Sequence, residues 1–310
     1  MKKRASPAFL ALLVSILSWS SIPLFLKYFT DSLDAWTVNG VRYAFSALLM
    51  LPGLRVRTAG SEKQRSLWSS ALVPACVNTA GQVGWALIPY YVTASVMAFG
   101  IRASFLFTIL GSLWLLPEER YLLRSRPFWL GAVSCIAGLS ALFWASLRQA
   151  SASVPGLLIL LSCAAVWGFY GITVRKFMKD HQPHRSFAAI SLYTSGILTV
   201  LMLSFGRVSA LARLSPGNLS LLALSSVLGI ALAHVLMYYV LNRLGPIVES
   251  GAEMLAPFLT FCGAALIFGE RLSALQWTGG LGVIAGCVLM VSAHKPRPAL
   301  AVTTDALGLD

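Results

Sequence analysis

Long apolar runs separated by short polar stretches dominate the chain. A membrane-spanning helix needs about 20 predominantly apolar residues, and most of the runs have that length. Ten such runs cover residues 8–28, 34–53, 68–88, 93–115, 128–146, 154–174, 187–205, 218–240, 247–268 and 274–293. The pattern therefore predicts an all-α membrane protein with ten transmembrane helices. Residues 294–310 form a short polar tail.

The composition supports a membrane protein and disfavours a soluble one. Of the 310 residues, 57% are hydrophobic and 11% are charged, whereas a soluble domain carries about 25% charged residues. The formal net charge is +13. The Lys and Arg residues form short clusters between apolar runs, which is typical of membrane topology signals and not of a nucleic-acid-binding surface. We therefore expect the lipid bilayer as a partner and no nucleic acid.

The distribution of Lys and Arg predicts the orientation. When the N-terminus is placed in the cytoplasm, 17 of the 24 Lys and Arg residues fall in cytoplasmic segments and 5 fall in outer segments. The other two, Arg42 and Arg102, lie inside apolar runs. Basic residues accumulate on the cytoplasmic side of membrane proteins. This predicts a multi-pass protein of the plasma (inner) membrane with both termini in the cytoplasm.

An internal repeat divides the chain into two halves. Trp129-Leu130-Gly131 recurs as Trp277-Thr278-Gly279, and Ser18-Trp19-Ser20 recurs as Val166-Trp167-Gly168, both at an offset of 148 residues. Five helices per half is an odd number, so the halves insert in opposite directions. Inverted repeats are typical of secondary transporters, whose binding site lies at the repeat interface near the bilayer midplane. The predicted domains are residues 1–148, residues 149–293 and the cytoplasmic tail 294–310.

The order of these motifs resembles the ten-helix, EamA-type members of the drug/metabolite transporter superfamily over about residues 8–293. The matching features are Trp19, Arg42, Trp167, Leu255-Ala256-Pro257, Phe268-Gly269-Glu270-Arg271-Leu272 and Gln276-Trp277. Ile190 stands at the place equivalent to Arg42 in the second half. The resemblance implies transport of small organic metabolites, often export, without nucleotide hydrolysis.

Ionisable residues inside a bilayer are functional candidates because each costs about 2.5–3.5 kcal/mol at a helix centre. Arg102 and Glu253 occupy equivalent positions of the two halves, 151 residues apart, in the fourth and ninth helices. Depth arguments place them within several Å of each other along the membrane normal. One interpretation is an Arg that binds a substrate carboxylate in exchange for the Glu. The other is a fixed salt bridge that locks two helices.

Glu249 and Glu253 are candidates for proton coupling. They lie one turn apart on one helix face, and apolar surroundings favour the protonated form that a proton carrier needs. Pro257 cannot donate a hydrogen bond to the carbonyl four residues earlier, which is that of Glu253. The alternative for Glu249 is an interfacial position near Arg243.

Two polar and aromatic stripes are predicted to bind substrate. Such side chains can bind a substrate amine, amide or ring. The alternative for the polar residues is that they hold membrane helices together. The alternative for the tryptophans is that they pack between helices and do not line a cavity. The candidates are Asn78, Gln82 and Trp85 on the third helix, His234 and Tyr238 on the eighth, and Trp19 and Trp167 in the first helix of each half.

No phosphate loop, catalytic triad or metal-ligand set occurs in the sequence, so we expect neither an enzyme nor a cofactor or metal. The predicted function is a secondary exporter of small organic metabolites, among them amino-acid-like compounds, by alternating access. A carrier of sugar phosphates or nucleotide sugars, an intramembrane enzyme and a passive channel remain alternatives. Gly282-x-x-x-Gly286 permits either packing within the monomer or a weak homodimer.

Overall fold

The computed structural model describes residues 7–55, 66–91, 97, 100–149, 154–260, 262 and 273–293. Every regular element in these residues is helical, which confirms the predicted all-α fold. The main helices are α1 (Pro7–Phe29), α2 (Ala35–Met50), α3 (Leu67–Leu87), α4 (Ser104–Leu115), α5 (Arg126–Gln149), α6 (Val154–Met178), α7 (Pro183–Phe205), α8 (Pro216–Leu244), α9 (Pro246–Ala252) and α10 (Ala274–Ser292). Helix α8 contains a π-helical segment, Val227–Leu232. The motif 268–272 and the tail 294–310 lie outside the described residues.

The helices have the lengths and surfaces of a membrane protein. Among the described residues, five helical stretches are long and apolar enough to cross a bilayer, and two shorter apolar helices accompany them. Large apolar side chains also face outward, among them Leu130 and Val133 of α5 and Leu281 and Val288 of α10. An apolar outer surface of this extent is expected where the surrounding medium is lipid.

The packing of the helices relates the two halves. Helix α2 packs on α7, α4 on α9, and α5 on α10, so these helices of the first half meet their counterparts in the second. Helix α3 packs on α6, and the equivalent contact joins α8 to α1. This arrangement is the one expected of two repeats related by a pseudo-two-fold axis in the membrane plane.

The closest helix crossing joins α5 to α10 through glycines. A Cβ built on Gly286 would lie 2.6 Å from the carbonyl oxygen of Gly131, and one built on Gly138 would lie 2.5 Å from that of Gly279. The Ser134 hydroxyl donates a hydrogen bond of 2.8 Å to the carbonyl of Gly282. The Gly282-x-x-x-Gly286 motif therefore packs within one chain, against α5.

Asp34 starts helix α2 and also connects the two halves. One carboxylate oxygen accepts from the Thr37 backbone N–H at 2.9 Å, which caps the helix, and the other accepts from the Arg207 backbone N–H at 2.8 Å. Burial alone raises the pKa of Asp34, but the hydrogen bonds from Arg207 and Thr37 together hold that pKa below its ordinary value. The ionised form of Asp34 is therefore stabilised by the fold.

We expect Asp34→Ala to lower the free energy of unfolding by about 1 kcal/mol at pH 7. A carboxyl group with a lowered pKa stabilises the fold above its unfolded pKa of about 3.9 and loses this effect as the pH falls through its folded pKa. The unfolding midpoints of the two proteins should therefore differ at pH 7, and this difference should shrink as the pH falls below about 3.9. Asp31→Ala, an exposed carboxylate of the same loop, is the matched control. Equal midpoints for Asp34→Ala and wild type at pH 7 would contradict the prediction.

Candidate functional site

A cavity of about 120 Å³ lies between the two halves, large enough for several waters or one small organic molecule. Its walls come from α1, α2, α3, α4, α6, α8 and α9. Eight of the ten residues predicted from sequence line it: Trp19, Gln82, Trp85, Arg102, Trp167, His234, Glu249 and Glu253. The structure thus brings most of the predicted site residues to one place, and their binding role stays a prediction.

Helical irregularities place Arg102 and Glu253 at the cavity. Arg102 lies in a 3₁₀ turn, Ile101–Ala103, that leads into α4, and Glu253 lies in a 3₁₀ turn, Glu253–Leu255, that follows α9. The backbone returns to helix at residues 256–260. Transporters of inverted-repeat architecture often carry interrupted helices at corresponding positions beside the binding site. Short 3₁₀ stretches within a helix also mark hinges.

Arg102 and Glu253 contact each other across the cavity wall. Arg102 Nη1 lies 3.6 Å from Glu253 Oε2 and donates a 2.8 Å hydrogen bond to the Glu253 carbonyl. That carbonyl has no donor at Pro257 because proline lacks an N–H. Both side chains keep a small exposed fraction, 17% for Arg102 and 19% for Glu253, and both line the cavity. A ligand in the cavity therefore meets both charges.

Glu249 completes this polar corner. Glu249 is only 3% exposed, lines the cavity and lies one helical turn before Glu253, whose carboxyl group neighbours its own. Two carboxyl groups form a hydrogen bond only when one of them carries a proton. Glu249 Oε1 has no hydrogen-bond partner among the described residues. We expect the pair Glu249–Glu253 to hold one proton beside the Arg102 guanidinium, because two neighbouring carboxylates repel each other.

Aromatic rings surround His234 on the opposite wall. The His234 ring stacks on Phe187 with 5.0 Å between centroids and meets the Trp19 ring edge-on at 5.7 Å. His234 Nδ1 lies 2.9 Å from the Ile230 carbonyl. Since a carbonyl only accepts, a neutral His234 carries its proton on Nδ1 and presents Nε2 as an acceptor. His234 Nε2 has no partner among the residues that the structure describes. The Trp167 ring belongs to the same wall, and its centroid lies 6.4 Å from that of the His234 ring.

Asn78 and Tyr238 are not among the residues that line the cavity. Asn78 Nδ2 donates to the Thr194 hydroxyl at 3.0 Å, and the Tyr43 hydroxyl lies 3.3 Å from Asn78 Oδ1. The Tyr238 hydroxyl forms a hydrogen bond with that of Tyr170. These contacts join α3 to α2 and α7, and α8 to α6, as polar groups do between membrane helices.

The cavity also contains residues that the sequence prediction did not assign to it. Arg42 of α2 lines the cavity. Its position inside an apolar run is the feature of the sequence from which a place in the cavity could have been predicted. Thr108 donates a hydrogen bond of 3.1 Å to the Gly168 carbonyl, and Thr260 donates one of 2.7 Å to the Ser20 carbonyl. These threonines gave no sequence signal because Ser and Thr are common at helix contacts in membranes. Among the described residues, no group of three or more His, Cys, Asp or Glu residues could hold a metal ion.

The fold is shared with a known structure. A solved crystal structure superposes on the chain with a TM-score of 0.73 at 15% sequence identity, over 93% of this chain and 98% of that one. At this level of identity the likeness concerns the fold alone. A search of curated proteins found no significant match.

The family is shown by two separate matches. The family model of the EamA-like transporters matches residues 6–144 and, again, residues 154–292. The two matches cover both halves and nearly the whole chain, in agreement with the internal repeat. The chain therefore belongs to the EamA-like transporter family and is a multi-pass membrane transporter of the drug/metabolite type.

Proposed function

We propose that this transporter exports small zwitterionic, amino-acid-like metabolites across the plasma (inner) membrane, with both termini in the cytoplasm. The observation that carries the proposal is the cavity between the halves, which presents the charges of Arg102 and Glu253 together with aromatic walls. Binding sites for small organic ligands are usually apolar pockets with a few convergent polar groups. A zwitterion carries the two opposite charges that arginine and glutamate side chains of one cavity recognise.

Alternating access follows from the position of the ion pair. Arg102 and Glu253 belong to equivalent turns of different repeats, so their contact holds the halves together in the state described. A zwitterion can offer a carboxylate to an arginine and an ammonium to Glu253, and the halves can then separate on one side and close on the other. The 3₁₀ turns are the natural hinges for this movement.

The carboxyl pair Glu249–Glu253 supports coupling to protons. The two carboxyl groups lie beside Arg102 at the cavity, and this coupling requires that they share one proton. When a substrate ammonium binds the carboxyl groups, that proton has to leave, since the ammonium and the proton compete for the same oxygens. Release of the substrate on the far side lets a proton return. This cycle exchanges protons for substrate and drives export with the proton gradient of the cell.

A carrier of sugar phosphates or nucleotide sugars is less well supported. Each phosphate carries up to two negative charges and calls for several cationic side chains. Among the described residues the cavity offers Arg42 and Arg102 and no Lys, and Glu253 already neutralises Arg102. The carboxyl groups of Glu249 and Glu253 would repel a phosphate.

Efflux from proteoliposomes tests the proposed function. Vesicles containing the purified protein are loaded with a mixture of the twenty amino acids, and the external solution is analysed by mass spectrometry after a pH gradient is imposed. We expect a subset of the amino acids to leave faster than from protein-free vesicles. Efflux equal to that of protein-free vesicles for every amino acid would refute the proposal.

The coupling is tested by Glu249→Gln. We expect this variant to abolish the substrate-dependent proton flux because the carboxyl pair can no longer release and rebind a shared proton. A pH-sensitive dye trapped in the vesicles measures that flux. Asp180→Asn removes a carboxylate at an exposed position and is the matched control, with an expected flux equal to wild type. An undiminished flux in Glu249→Gln would show that another group carries the proton.

A further inference from the structure

Arg42 is a buried cation of the cavity, and none of the described residues gives it an acidic partner. Its side chain is 2% exposed and lines the cavity. Within the part of the chain that the structure describes, Arg42 donates one hydrogen bond, 3.2 Å from Nη2 to the Ser225 carbonyl, and its buried Nε has none. No carboxylate of the described residues forms an ion pair with it. A buried charge of this kind is costly unless a ligand pairs with it.

The surroundings of Arg42 leave room for its guanidinium. Ser225 lies two residues before the start of the π-helical segment Val227–Leu232. Gly229, within that segment, faces the guanidinium: a Cβ built there would lie 3.1 Å from Arg42 Nη2 and only 2.0 Å from Ile22 Cδ1. A side chain at position 229 would therefore crowd the arginine. Irregular π-helical segments of this kind are frequent at functional sites.

The two arginines of the cavity differ in their charge balance. Arg102 has the Glu253 carboxylate at 3.6 Å and the Glu253 carbonyl at 2.8 Å. Arg42 has a single carbonyl, that of Ser225. An incoming carboxylate would have to displace Glu253 from Arg102. At Arg42 it would meet a guanidinium that forms no ion pair with any described residue. Guanidinium groups bind carboxylates strongly because two parallel N–H···O bonds form.

We propose that Arg42, and not Arg102, binds the carboxylate of the transported substrate; this deepens the proposed function, on which it rests for the choice of substrate. Glu253 then receives the ammonium group at the other side of the cavity. The apolar part of the substrate lies against Trp19 and Trp167, which line the same cavity. The site therefore selects monocarboxylates with an apolar chain. Ile190 replaces the arginine in the second half, so the carboxylate site belongs to the first half alone.

Three molecules that share the branched apolar chain of leucine separate the two charges. L-Leucine carries both charges, 4-methylpentanoate carries only the carboxylate, and 3-methylbutylamine carries only the ammonium. Each is titrated into the purified protein in nanodiscs, and binding is followed by tryptophan fluorescence because Trp19 and Trp167 line the cavity. In the wild type we expect saturable binding of 4-methylpentanoate at millimolar concentration. Arg42→Gln should weaken it about 10- to 100-fold, the effect of losing a charge-assisted hydrogen-bond pair.

Two further variants are the controls. Arg42→Lys keeps the charge without the bidentate geometry and should weaken binding of 4-methylpentanoate less than Arg42→Gln does; it also serves if Arg42→Gln fails to fold. The double variant Arg102→Met with Glu253→Leu removes the other arginine together with its partner and should bind 4-methylpentanoate as the wild type does. Binding of 3-methylbutylamine should not depend on Arg42.

Three results would overturn the assignment. They are unchanged affinity for 4-methylpentanoate in both Arg42 variants, loss of that affinity in the Arg102/Glu253 double variant, and absence of 4-methylpentanoate binding to the wild type. The proposed function fails separately, by lack of amino-acid efflux from proteoliposomes. Efflux of amino acids together with unchanged binding in the Arg42 variants would refute only the carboxylate site.

Discussion

Glu253→Leu is expected to stop transport and to lower the free energy of unfolding by about 3 kcal/mol. The substitution removes the carboxylate that lies 3.6 Å from Arg102. It leaves the guanidinium largely buried, with the backbone carbonyl of position 253 and the more distant Glu249 carboxyl group as its remaining partners. Removing one partner of a buried ion pair costs about 3–5 kcal/mol. We place Glu253→Leu at the low end of this range because the pair borders a cavity that admits water.

The double variant Arg102→Met with Glu253→Leu separates stability from function. Neutral, apolar replacements of both partners should restore the free energy of unfolding to within about 1 kcal/mol of wild type. Transport should stay absent because the group that receives the substrate ammonium and the proton is missing. Denaturant unfolding in detergent measures the first quantity, and amino-acid efflux from proteoliposomes measures the second.

Exchanging the two charges gives an independent test. In Arg102→Glu with Glu253→Arg the ion pair can form again with opposite orientation. A pair that serves only to lock two helices should tolerate this exchange and keep full transport. We expect transport to remain below a tenth of wild type, since the negative charge would then lie in the other repeat. Full transport in the exchanged protein would leave the ion pair with a purely structural role.

Gly286→Ala is expected to destabilise the protein by about 3 kcal/mol or more. The added Cβ would lie 2.6 Å from both the Gly131 carbonyl oxygen and Cys135 Sγ, and 2.8 Å from the Cys135 backbone nitrogen. Relief requires α5 and α10 to separate, because two of these three atoms belong to the backbone of α5. That separation would reduce the packing of the closest helix pair in the fold.

Gly282→Ala is the matched control on the same helix. A Cβ at this position meets its nearest neighbour, the Gly138 Cα, at 3.8 Å, an ordinary van der Waals distance. The free energy of unfolding should therefore change by less than about 0.5 kcal/mol. Thermal unfolding in one detergent compares the two variants with wild type. Similar midpoints for Gly286→Ala and Gly282→Ala would mean that the α5–α10 crossing can relax.

The corner formed by Arg102, Glu253 and Glu249 was accessible to sequence reasoning. Arg102 and Glu253 were identified by two linear properties, their position inside apolar runs and their common offset of 151 residues. The cost of burying charge in lipid makes such residues conspicuous. Because Pro257 has no N–H, the sequence also predicted that the Glu253 carbonyl lacks its helical donor. Arg102 donates a hydrogen bond to this carbonyl. These inferences held because helix depth follows directly from residue count.

The cavity wall itself was harder to derive. Gln82 and Trp85 line it, whereas Asn78, on the same predicted stripe, bonds to Tyr43 and Thr194. The spacing of residues along a helix shows which of them share a face. It does not show whether that face contacts another helix, the cavity or lipid. In a soluble protein the polar face would point to water. In a bilayer both lipid and the protein interior are apolar, so the periodicity is weak evidence for the inward direction.

Run lengths, motif offsets and depth are properties of a linear chain, and they were enough to predict the membrane class, the helical fold, the inverted repeat and the equivalence of Arg102 and Glu253. Three other facts came from the three-dimensional contacts: Arg42 forms no ion pair with any described residue, Glu249 lies beside Glu253, and Gly286 packs against α5 of the same chain. These facts depend on how each helix is rotated about its axis and on which helix it touches. That rotation is set by the close packing of side chains from different halves, which no local pattern of apolar residues specifies.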